Sequence, residues 1–284
     1  MSVGAAAPAG SDASSGFGSS APILTVRGAG IRRGDRELWS GLDLDVQPGE
    51  FIAVLGPSGS GKTTLLQAIL GLQELSEGSI AVAGSPVHRG NPRIGYIPQQ
   101  RPLPPETSMR ARDVVALGVN GTRFGLPLPR RGDRERVDQL LEDVGASHYA
   151  DRRVGLLSGG EQQRLRVGQA LADHPDLLLC DEPLSNLDLA NQVGVTDIID
   201  RQRRERSAAV LFVTHDINPI LGRVDRILYI AGGRFVLGTP DEVLQSRVLT
   251  DLYGTPVFVL RAGDRLVVVG IPDAEPHHDH EDHA

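Results

Sequence analysis

The stretch GPSGSGKTT, from Gly56 to Thr64, decides the fold of this chain. It fits the pattern G-x-x-x-x-G-K-[ST], a glycine-rich loop that cradles phosphate groups, without a mismatch. The preceding residues 51–55, FIAVL, are apolar as in a buried strand, and residues 63–70, TTLLQAIL, favour a helix. A strand, a loop and a helix in this order form the context that the pattern requires. This context disfavours the alternative interpretation, a Gly/Ser linker that matches by chance.

The residue types of this loop suit a bound chain of phosphates. Its three glycines allow tight turns that aim backbone N–H groups at a phosphate, and the following helix adds the positive end of its dipole. We expect Lys62 to bring a cation to the β- and γ-phosphates, Thr63 to ligate Mg²⁺, and Thr64 to contact the α-phosphate side. The predicted nucleotide-binding residues of the loop are Gly56, Pro57, Ser58, Gly59, Ser60, Gly61, Lys62, Thr63 and Thr64.

Composition argues against several classes of protein. The chain has 284 residues and a net charge of −7, whereas nucleic-acid-binding proteins usually carry a basic patch, so we expect no nucleic-acid partner. No apolar run approaches the ~18 residues that a membrane-spanning helix needs. Cys180 is the only cysteine and lies in an apolar run, so we expect it in the core. Residues 1–21 are rich in Ala, Gly and Ser and lack the pattern of a signal peptide, which predicts a disordered tail on a cytoplasmic protein.

Buried strands that alternate with helices predict an α/β fold. The run LLLC at 177–180 is typical of a central parallel strand, and residues 208–214 form a second such run, with a crossover helix at 191–206 between them. Polar residues follow several strand ends, and the carboxyl ends of parallel strands meet at one edge of a sheet. The other predicted strands are 23–26 and 42–46, joined by a turn region, 78–82, 94–97, and a hairpin of 227–230 with 234–236.

A helical insertion separates the strands in the middle of the chain. Pro102, Pro104 and Pro105 disfavour regular structure, and helices are then predicted at 110–117 and 133–144, with a break at 125–129. We therefore predict a helical subdomain at about 101–158.

Two acidic residues follow the first buried run. Asp181 is expected to orient Mg²⁺ or its waters, and Glu182 to polarise the attacking water. The alternative interpretation is an ordinary acidic turn before Pro183. The nearby phosphate-binding loop favours the catalytic interpretation.

The sequence LSGGEQQR at 157–164 resembles the signature of the ATP-binding-cassette ATPases, and the resemblance covers residues 22–250. The same residues also form a capping-box pattern for a helix predicted at 161–173. The resemblance implies a RecA-like P-loop NTPase core, with a mixed sheet and helices on both faces, plus the inserted helical subdomain. It implies an ATPase domain at 22–245, with 246–271 as a C-terminal extension. It also implies that Ser158, Gly159 and Gly160 meet the γ-phosphate held by a second copy of the chain.

Other positions take roles from the same resemblance. Gln99 matches a glutamine that senses Mg²⁺ and the γ-phosphate and contacts the membrane partner, while its neighbour Gln100 is the less suitable candidate. Asp188 matches an aspartate that links the two active sites, and His215 a histidine that bonds the γ-phosphate. The family usually stacks an aromatic residue on adenine, but Arg33 stands near that position. A guanidinium plane can also stack on a base, and we expect Trp39 to pack instead. The predicted catalytic residues are Glu182, His215, Lys62 and Gln99, and Thr63, Gln99 and Asp181 are the predicted Mg²⁺ contacts.

The C-terminal sequence suggests what is transported. Residues 239–259 resemble ATPases of zinc, manganese and iron importers, and LYGTP at 252–256 resembles those of the zinc and manganese branch. In the tail 272–284, imidazoles and carboxylates suit Zn²⁺, although a solvated acidic tail is the alternative interpretation. The tail histidines are His277, His278, His280 and His283.

These resemblances lead to one hypothesis. Two copies bind ATP and Mg²⁺ between them on the cytoplasmic face of the membrane and drive a separate permease, supplied by an extracytoplasmic metal-binding protein. The alternatives are a transporter of iron-siderophore or another substrate, and a soluble cassette ATPase without a transport role.

Overall fold

The computed structural model describes residues 21–34, 36–99, 102–120, 132–263 and 265–270. The strands in this part of the chain are Leu24–Arg33 (β1), Arg36–Val46 (β2), Phe51–Leu55 (β3), Glu77–Val82 (β4), Ser85–Pro86 (β5), Ile94–Ile97 (β6), Leu177–Asp181 (β7), Ala209–Val213 (β8), Arg226–Ala231 (β9), Arg234–Gly238 (β10), Val257–Ala262 (β11) and Arg265–Gly270 (β12). The α-helices are Lys62–Ile69 (α1), Ala111–Asn120 (α2), Asp133–Asp143 (α3), Gly159–Ala170 (α4), Leu189–Arg206 (α5), Pro240–Val243 (α6) and Ser246–Tyr253 (α7).

The central sheet has six strands in the order β10-β9-β3-β8-β7-β6. Strands β9, β3, β8, β7 and β6 run parallel, and β10 pairs with β9 in the antiparallel direction. A second sheet, β2-β1-β4-β5, is antiparallel, and β11 and β12 form a separate hairpin. The mixed sheet and its helices confirm the predicted α/β fold.

The central sheet separates two hydrophobic cores, because neighbouring side chains of a strand point to opposite faces. In β3, Phe51, Ala53 and Leu55 belong to the core that also contains helices α2 to α5 and α7. Ile52 and Val54 belong to the core formed with α1 and the antiparallel sheet. Every residue of β3 is therefore buried, and the loop that follows it emerges from a position held from both sides.

Several predicted boundaries need correction. The turn region expected between 26 and 42 is mostly strand, because β1 and β2 pair from Leu24↔Val46 to Arg33↔Arg36, with register shifts on the way. The helix expected at 161–173 begins at Gly159 and ends at Ala170. Helix α7 and the β11–β12 hairpin were not predicted at all.

Other predicted elements are confirmed. Strands 51–55 and 94–97 are found as predicted, and the hairpin of β9 and β10 turns through Gly232 and Gly233. Cys180 is a buried free thiol. Helices α2 and α3 lie where helices of the insertion were expected, but they share one core with the central sheet, so the limits 101–158 stay a prediction. The predicted break at 125–129 lies outside the described residues.

Candidate active site

The glycine-rich loop after β3 packs so closely on its surroundings that two positions accept only glycine. Gly56 has a φ of 141°, and a Cβ there would lie 2.0 Å from the Ile230 carbonyl oxygen. Gly61 has a φ of 98°, and its Cβ would lie 2.6 Å from the indole nitrogen of Trp39. Trp39 is fully buried, as expected for a packing residue. The loop backbone is therefore held between β9 and the antiparallel sheet.

Lys62, the first residue of α1, is a buried cation. Its Nζ donates hydrogen bonds to the carbonyl oxygens of Gly56 (2.8 Å) and Pro57 (2.9 Å) in the same loop. Burial lowers its pKa from the ordinary value, while the nearby carboxylates Glu182 and Asp181 act in the opposite direction. The loop thus curls around an ammonium group that has lost most of its water.

Asp181, the last residue of β7, holds the start of α1 to the neighbouring strands. Thr63 Oγ1 donates to one of its carboxylate oxygens (3.1 Å), and the Tyr96 hydroxyl, from β6, donates to the other (3.4 Å). Asp181 is only 5% exposed, and burial raises its pKa although both hydrogen bonds oppose that shift. Burial also raises the pKa of Tyr96 to about 12. Tyr96 was not predicted as a site residue.

Three side chains meet one oxygen of Glu182. Ser185 Oγ donates to Glu182 Oε2 (2.9 Å), Gln99 Nε2 donates to it (3.3 Å), and His215 Nδ1 lies 3.4 Å away. Glu182 has a φ of 46°, uncommon for a residue with a side chain, and its N–H donates to the Val213 carbonyl. Strand β8 therefore positions Glu182 through the backbone, and its carboxylate is positioned by Ser185 of the same turn, Gln99 after β6 and His215 after β8.

Lys62, Glu182 and His215 are among the residues that line a cavity of about 380 Å³. One wall is the loop with Lys62, beside Glu182 and His215, and the opposite wall comes from the C-terminal extension, with Tyr253, Val257 and Val268. No sequence motif predicted this second wall. An adjoining cavity of about 320 Å³ is lined by Gln99, Ser185 and Gln192 among others, and it shares Glu182 and His215 with the first.

The Ser158–Gly160 segment begins α4 and carries the predicted capping box. Ser158 N–H donates to Glu161 Oε2 (2.7 Å), and Glu161 N–H donates to Ser158 Oγ (3.3 Å). This arrangement fixes the segment at a helix N-terminus, where the dipole is positive. Residues 158–160 are not among the lining residues of either cavity.

Asn191 joins this segment to Asp188, a contact that no sequence motif predicted. Asp188 caps α5, and its carboxylate accepts from the Asn191 N–H (2.8 Å) and from Asn191 Nδ2 (2.9 Å). These bonds, the backbone one first, hold the Asp188 pKa below its ordinary value. A Cβ on Gly160 would lie 2.3 Å from Asn191 Cγ. Gly160 is thus required by the asparagine packed against it.

The remaining predicted residues are placed as follows. Arg33 is exposed at the end of β1, opposite Arg36, and does not line either cavity, so its contact with a base stays a prediction. Gln100 and the histidines of the tail 272–284 lie outside the described residues.

Among the described residues no cluster of three or more His, Cys, Asp and Glu could hold a metal ion. No described helix is both long and apolar enough to cross a membrane.

The residues present fit ATP with Mg²⁺. The backbone cradle is one that a Cβ at Gly56 or Gly61 would fill. Ser60 Oγ is buried in the loop with no hydrogen-bond partner in the described part of the chain. The Lys62 ammonium suits a phosphate oxygen, and Thr63 Oγ1 with the Asp181 carboxylate offers the hard oxygen donors that Mg²⁺ prefers.

Comparisons with known proteins agree with this geometry. The family model described as "ABC transporter" matches residues 39–185. The sn-glycerol-3-phosphate import ATP-binding protein UgpC 1 of Rhizobium johnstonii is 36% identical, with 86% of this chain and 66% of that protein covered. The zinc import ATP-binding protein ZnuC of Chelativorans sp. is 32% identical, with 91% and 82% covered. A solved structure, an inward-facing putative metal-chelate type ABC transporter, is 27% identical with a TM-score of 0.73, over 89% of this chain and 98% of that one.

Asp181→Asn should stabilise the ligand-free protein at neutral pH. Because burial raises the Asp181 pKa, the folded state binds its proton more tightly than the unfolded chain does, and stability falls as the pH rises through the interval between the ordinary pKa of about 4 and the raised one. The neutral side chain of Asp181→Asn carries no charge to bury, so the variant avoids this loss of stability. We expect a higher melting temperature than wild type at pH 7.5, and a smaller difference at pH 5.

The exposed Asp251→Asn is the matched control and should not change the melting temperature. In the presence of Mg²⁺ and ATP, the wild-type protein should instead have the higher melting temperature, because only its Asp181 carboxylate assists the metal. A ligand-free Asp181→Asn protein that melts below wild type at pH 7.5 would contradict the prediction.

Gly160→Ala should destabilise the protein by roughly 1–3 kcal/mol, because the new methyl group overlaps Asn191. Asn191→Ala should destabilise the protein less, through its lost bond to the exposed Asp188. The double variant should lose less stability than the sum of the two single losses, because removal of the Asn191 amide leaves room for the methyl group at position 160. Urea unfolding measures all three. Gly222→Ala, where nothing lies within 4 Å of the new Cβ, is the control, and additive losses would show that the two residues do not touch.

Proposed function

The chain belongs to the ABC transporter family as an ATP-binding, ATP-hydrolysing subunit of an importer, and from this premise we propose that it drives uptake of a metal cation, zinc or manganese, through a separate membrane permease. The observation that carries the choice of cargo is the match to a zinc import subunit over 91% of this chain. The likeness to a putative metal-chelate type transporter supports it. The resemblance of residues 239–259 to metal importers points the same way.

Glycerol phosphate is the second candidate cargo. The relative named for its import is 36% identical, a higher value than that of the zinc relative, and the chain spans about two thirds of that relative's length. An ATP-binding subunit does not itself select the cargo, which the permease and an extracytoplasmic binding protein recognise. The two candidates therefore differ in partners, and the chemistry of this chain is the same for both.

In the proposed assembly two copies of the chain face each other. Ser158–Gly160 of one copy complete the site formed by Lys62 and Thr63 of the other. Two observations support this: the segment 158–160 presents a capped helix N-terminus, and it does not line the cavities around its own Lys62 and Glu182. The helix end at Ser158 is therefore separate from the site in its own copy and suits a phosphate group held by another copy.

Each residue near the cavity then has a distinct task. Lys62 exchanges its carbonyl partners for phosphate oxygens, with its ammonium already desolvated. Glu182 accepts a proton from the attacking water, and Ser185, Gln99 and His215 hold its carboxylate in place. When bound, Mg²⁺ supplies charge that neutralises the transferred phosphoryl group, and Thr63 and Asp181 would hold it.

Gln99 is placed to report the state of the site to the permease. It bonds Glu182 and follows β6, the strand at one edge of the central sheet, and in the sequence it stands just before the helical insertion. We assign the coupling surface to this neighbourhood and to the helical subdomain at about 101–158. Such coupling requires a peripheral position on the cytoplasmic face of the membrane.

Glu182→Gln tests the catalytic assignment. The amide keeps the size of the side chain but cannot accept the proton of the water, so we expect ATP binding to persist while turnover falls at least 100-fold. Because hydrolysis would separate the copies, the variant should accumulate as an ATP-bound dimer, measured by light scattering. The exposed Glu205→Gln is the control and should hydrolyse ATP as wild type does. Unchanged turnover in Glu182→Gln would remove Glu182 from its role.

Deletion of the gene, with uptake of radioactive zinc, manganese and glycerol 3-phosphate measured in parallel, tests the cargo. We expect zinc or manganese uptake to fall several-fold and glycerol 3-phosphate uptake to stay constant. Complementation should succeed with the wild-type chain and fail with Glu182→Gln. Loss of glycerol 3-phosphate uptake alone would overturn the metal assignment and leave the ATPase assignment intact.

A further inference from the structure

His215 is held in place by its backbone more than by packing of its side chain. The imidazole is 68% exposed, and its Nδ1 lies 3.4 Å from Glu182 Oε2. Thr214, the residue before it, donates its N–H to the Val54 carbonyl of β3 (3.2 Å). The Thr214 hydroxyl closes a turn around His215, because it accepts from the Asp216 N–H (3.1 Å) and donates to the Asp216 carbonyl (2.8 Å). The direction of the imidazole therefore follows the path of this short backbone segment.

Asn218 fixes the far end of the segment. Its N–H and its Nδ2 both donate to Asp216 Oδ1, at 2.9 and 2.7 Å. The same Nδ2 donates to the Leu266 carbonyl (3.0 Å), and Asn218 Oδ1 accepts from the Leu266 N–H (2.8 Å). The side chain thus uses both of its donor hydrogens and its acceptor oxygen at once, and no other side chain of similar size supplies that set.

Leu266 lies on β12, and the Asn218 amide bonds the outer edge of this strand. The β11–β12 hairpin is a separate two-stranded sheet, and in the described part of the chain no third strand pairs with it. An amide offers the same donor and acceptor as a backbone peptide group, so Asn218 takes the place of one residue of a neighbouring strand. Packing reinforces the contact, since the buried side chains of Leu266, Ile217 and Ile220 belong to one hydrophobic core.

The hairpin is in turn anchored to the strand beside the phosphate-binding loop. Thr250 Oγ1 of α7 accepts from the Val257 N–H (3.0 Å) and donates to the Val257 carbonyl (3.2 Å). The hydroxyl groups of Tyr253, the last residue of α7, and Tyr229 of β9 share a hydrogen bond of 3.0 Å. Strand β9 pairs with β3, from which the loop emerges. The hairpin therefore has a defined position relative to the loop, and Asn218 ties the His215 segment to that position.

The hairpin also borders the site directly. Val268 and Gly270 of β12 line the cavity of about 380 Å³ beside Lys62 and His215. The strand that Asn218 bonds is therefore the one that closes this side of the cavity. Lys62 and its loop are positioned by β3 instead, and none of the hydrogen bonds of the Asn218 side chain involves them. Loss of the Asn218 amide should thus change the position of His215 and leave the loop in place.

We propose, on the basis of the roles proposed above for His215 and Glu182, that Asn218 is a positioning residue for ATP hydrolysis. By joining Asp216 to β12 it holds the His215 imidazole beside the Glu182 carboxylate. The C-terminal hairpin then has a part in catalysis, because it supplies the backbone groups that Asn218 binds. The alternative is an anchor that stabilises the fold and does not affect the turnover of the folded protein.

Asn218→Leu in the full-length chain tests the proposal, because leucine keeps the approximate size of the side chain and removes all of its hydrogen bonds. We expect kcat for ATP hydrolysis to fall roughly tenfold or more, since a small displacement of a positioned group is costly. KM for ATP should stay within about twofold, because the loop that binds the phosphates is not altered. Release of radioactive phosphate is measured per molecule that binds a fluorescent ATP analogue, so that misfolded protein does not count.

Asn91→Leu is the matched control. Asn91 Oδ1 also accepts a backbone N–H, that of Arg93 (3.0 Å), but it lies in the turn before β6 and lines neither cavity of the site. This variant should hydrolyse ATP with the kcat of the wild-type protein.

The same substitution in a His215→Ala background separates positioning from a general loss of structure. If Asn218 acts through the imidazole, Asn218→Leu should lower kcat less than about twofold once the imidazole is absent. Equal fold losses in the two backgrounds would overturn the proposal, and so would an Asn218→Leu protein that melts early but turns over as wild type does. His215→Ala with unchanged turnover would instead remove His215 from hydrolysis, and the role of Asn218 with it.

If Asn218→Leu does not fold, Asn218→Asp is the second variant. Aspartate keeps the shape of the side chain and an acceptor for the Leu266 N–H, but it loses both hydrogen bonds that Nδ2 donates and sets a second carboxylate beside Asp216. We expect the same fall in kcat and the same dependence on His215. A kcat equal to that of wild type would contradict a positioning role.

Discussion

The desolvated ammonium of Lys62 is the constraint on which the rest of the site depends. A buried cation needs acceptors, and here two carbonyl oxygens of its own loop supply them at 2.8 and 2.9 Å. The loop can curl this tightly only because Gly56 and Gly61 carry no side chain where Ile230 and Trp39 approach. The loop therefore has a shape that suits a phosphate group, whose charged oxygens can take the place of the carbonyl acceptors of Lys62.

The sheet turns this local arrangement into a site. Strands β3, β8, β7 and β6 are neighbours and parallel, so the segments that follow them emerge side by side. Asp181 and Glu182 extend β7 towards the loop after β3, and Gln99 and His215 arrive from the strands on either side of β7. Two hydrophobic cores, one on each face, prevent these strands from shifting. Burial of the strands thus fixes distances between polar groups that are far apart in the chain.

Two asparagines connect these polar groups to other parts of the chain. Asn191 ties Asp188 to Gly160, and Asn218 ties the His215 segment to the C-terminal hairpin. The Asn218 amide donates and accepts at once, whereas the Asn191 amide donates to Asp188 and packs against Gly160. In the proposed assembly, a second copy docked at Ser158–Gly160 would therefore meet a segment that Asn191 joins to Asp188.

The sequence by itself determined the phosphate-binding loop, the buried strands that end in polar residues, and the capped helix at Ser158, because each depends on residues close together in the chain. It did not reveal Tyr96 and Asn218, whose hydrogen-bond partners come from separate segments, the packing of Asn191 against Gly160, or the hairpin of β11 and β12 that lines the cavity. Local patterns specify turns, periodicity and caps. Contacts such as that between Gln99 and Glu182, which are 83 residues apart, exist only after two cores have closed around one sheet, and the tertiary structure alone decides them.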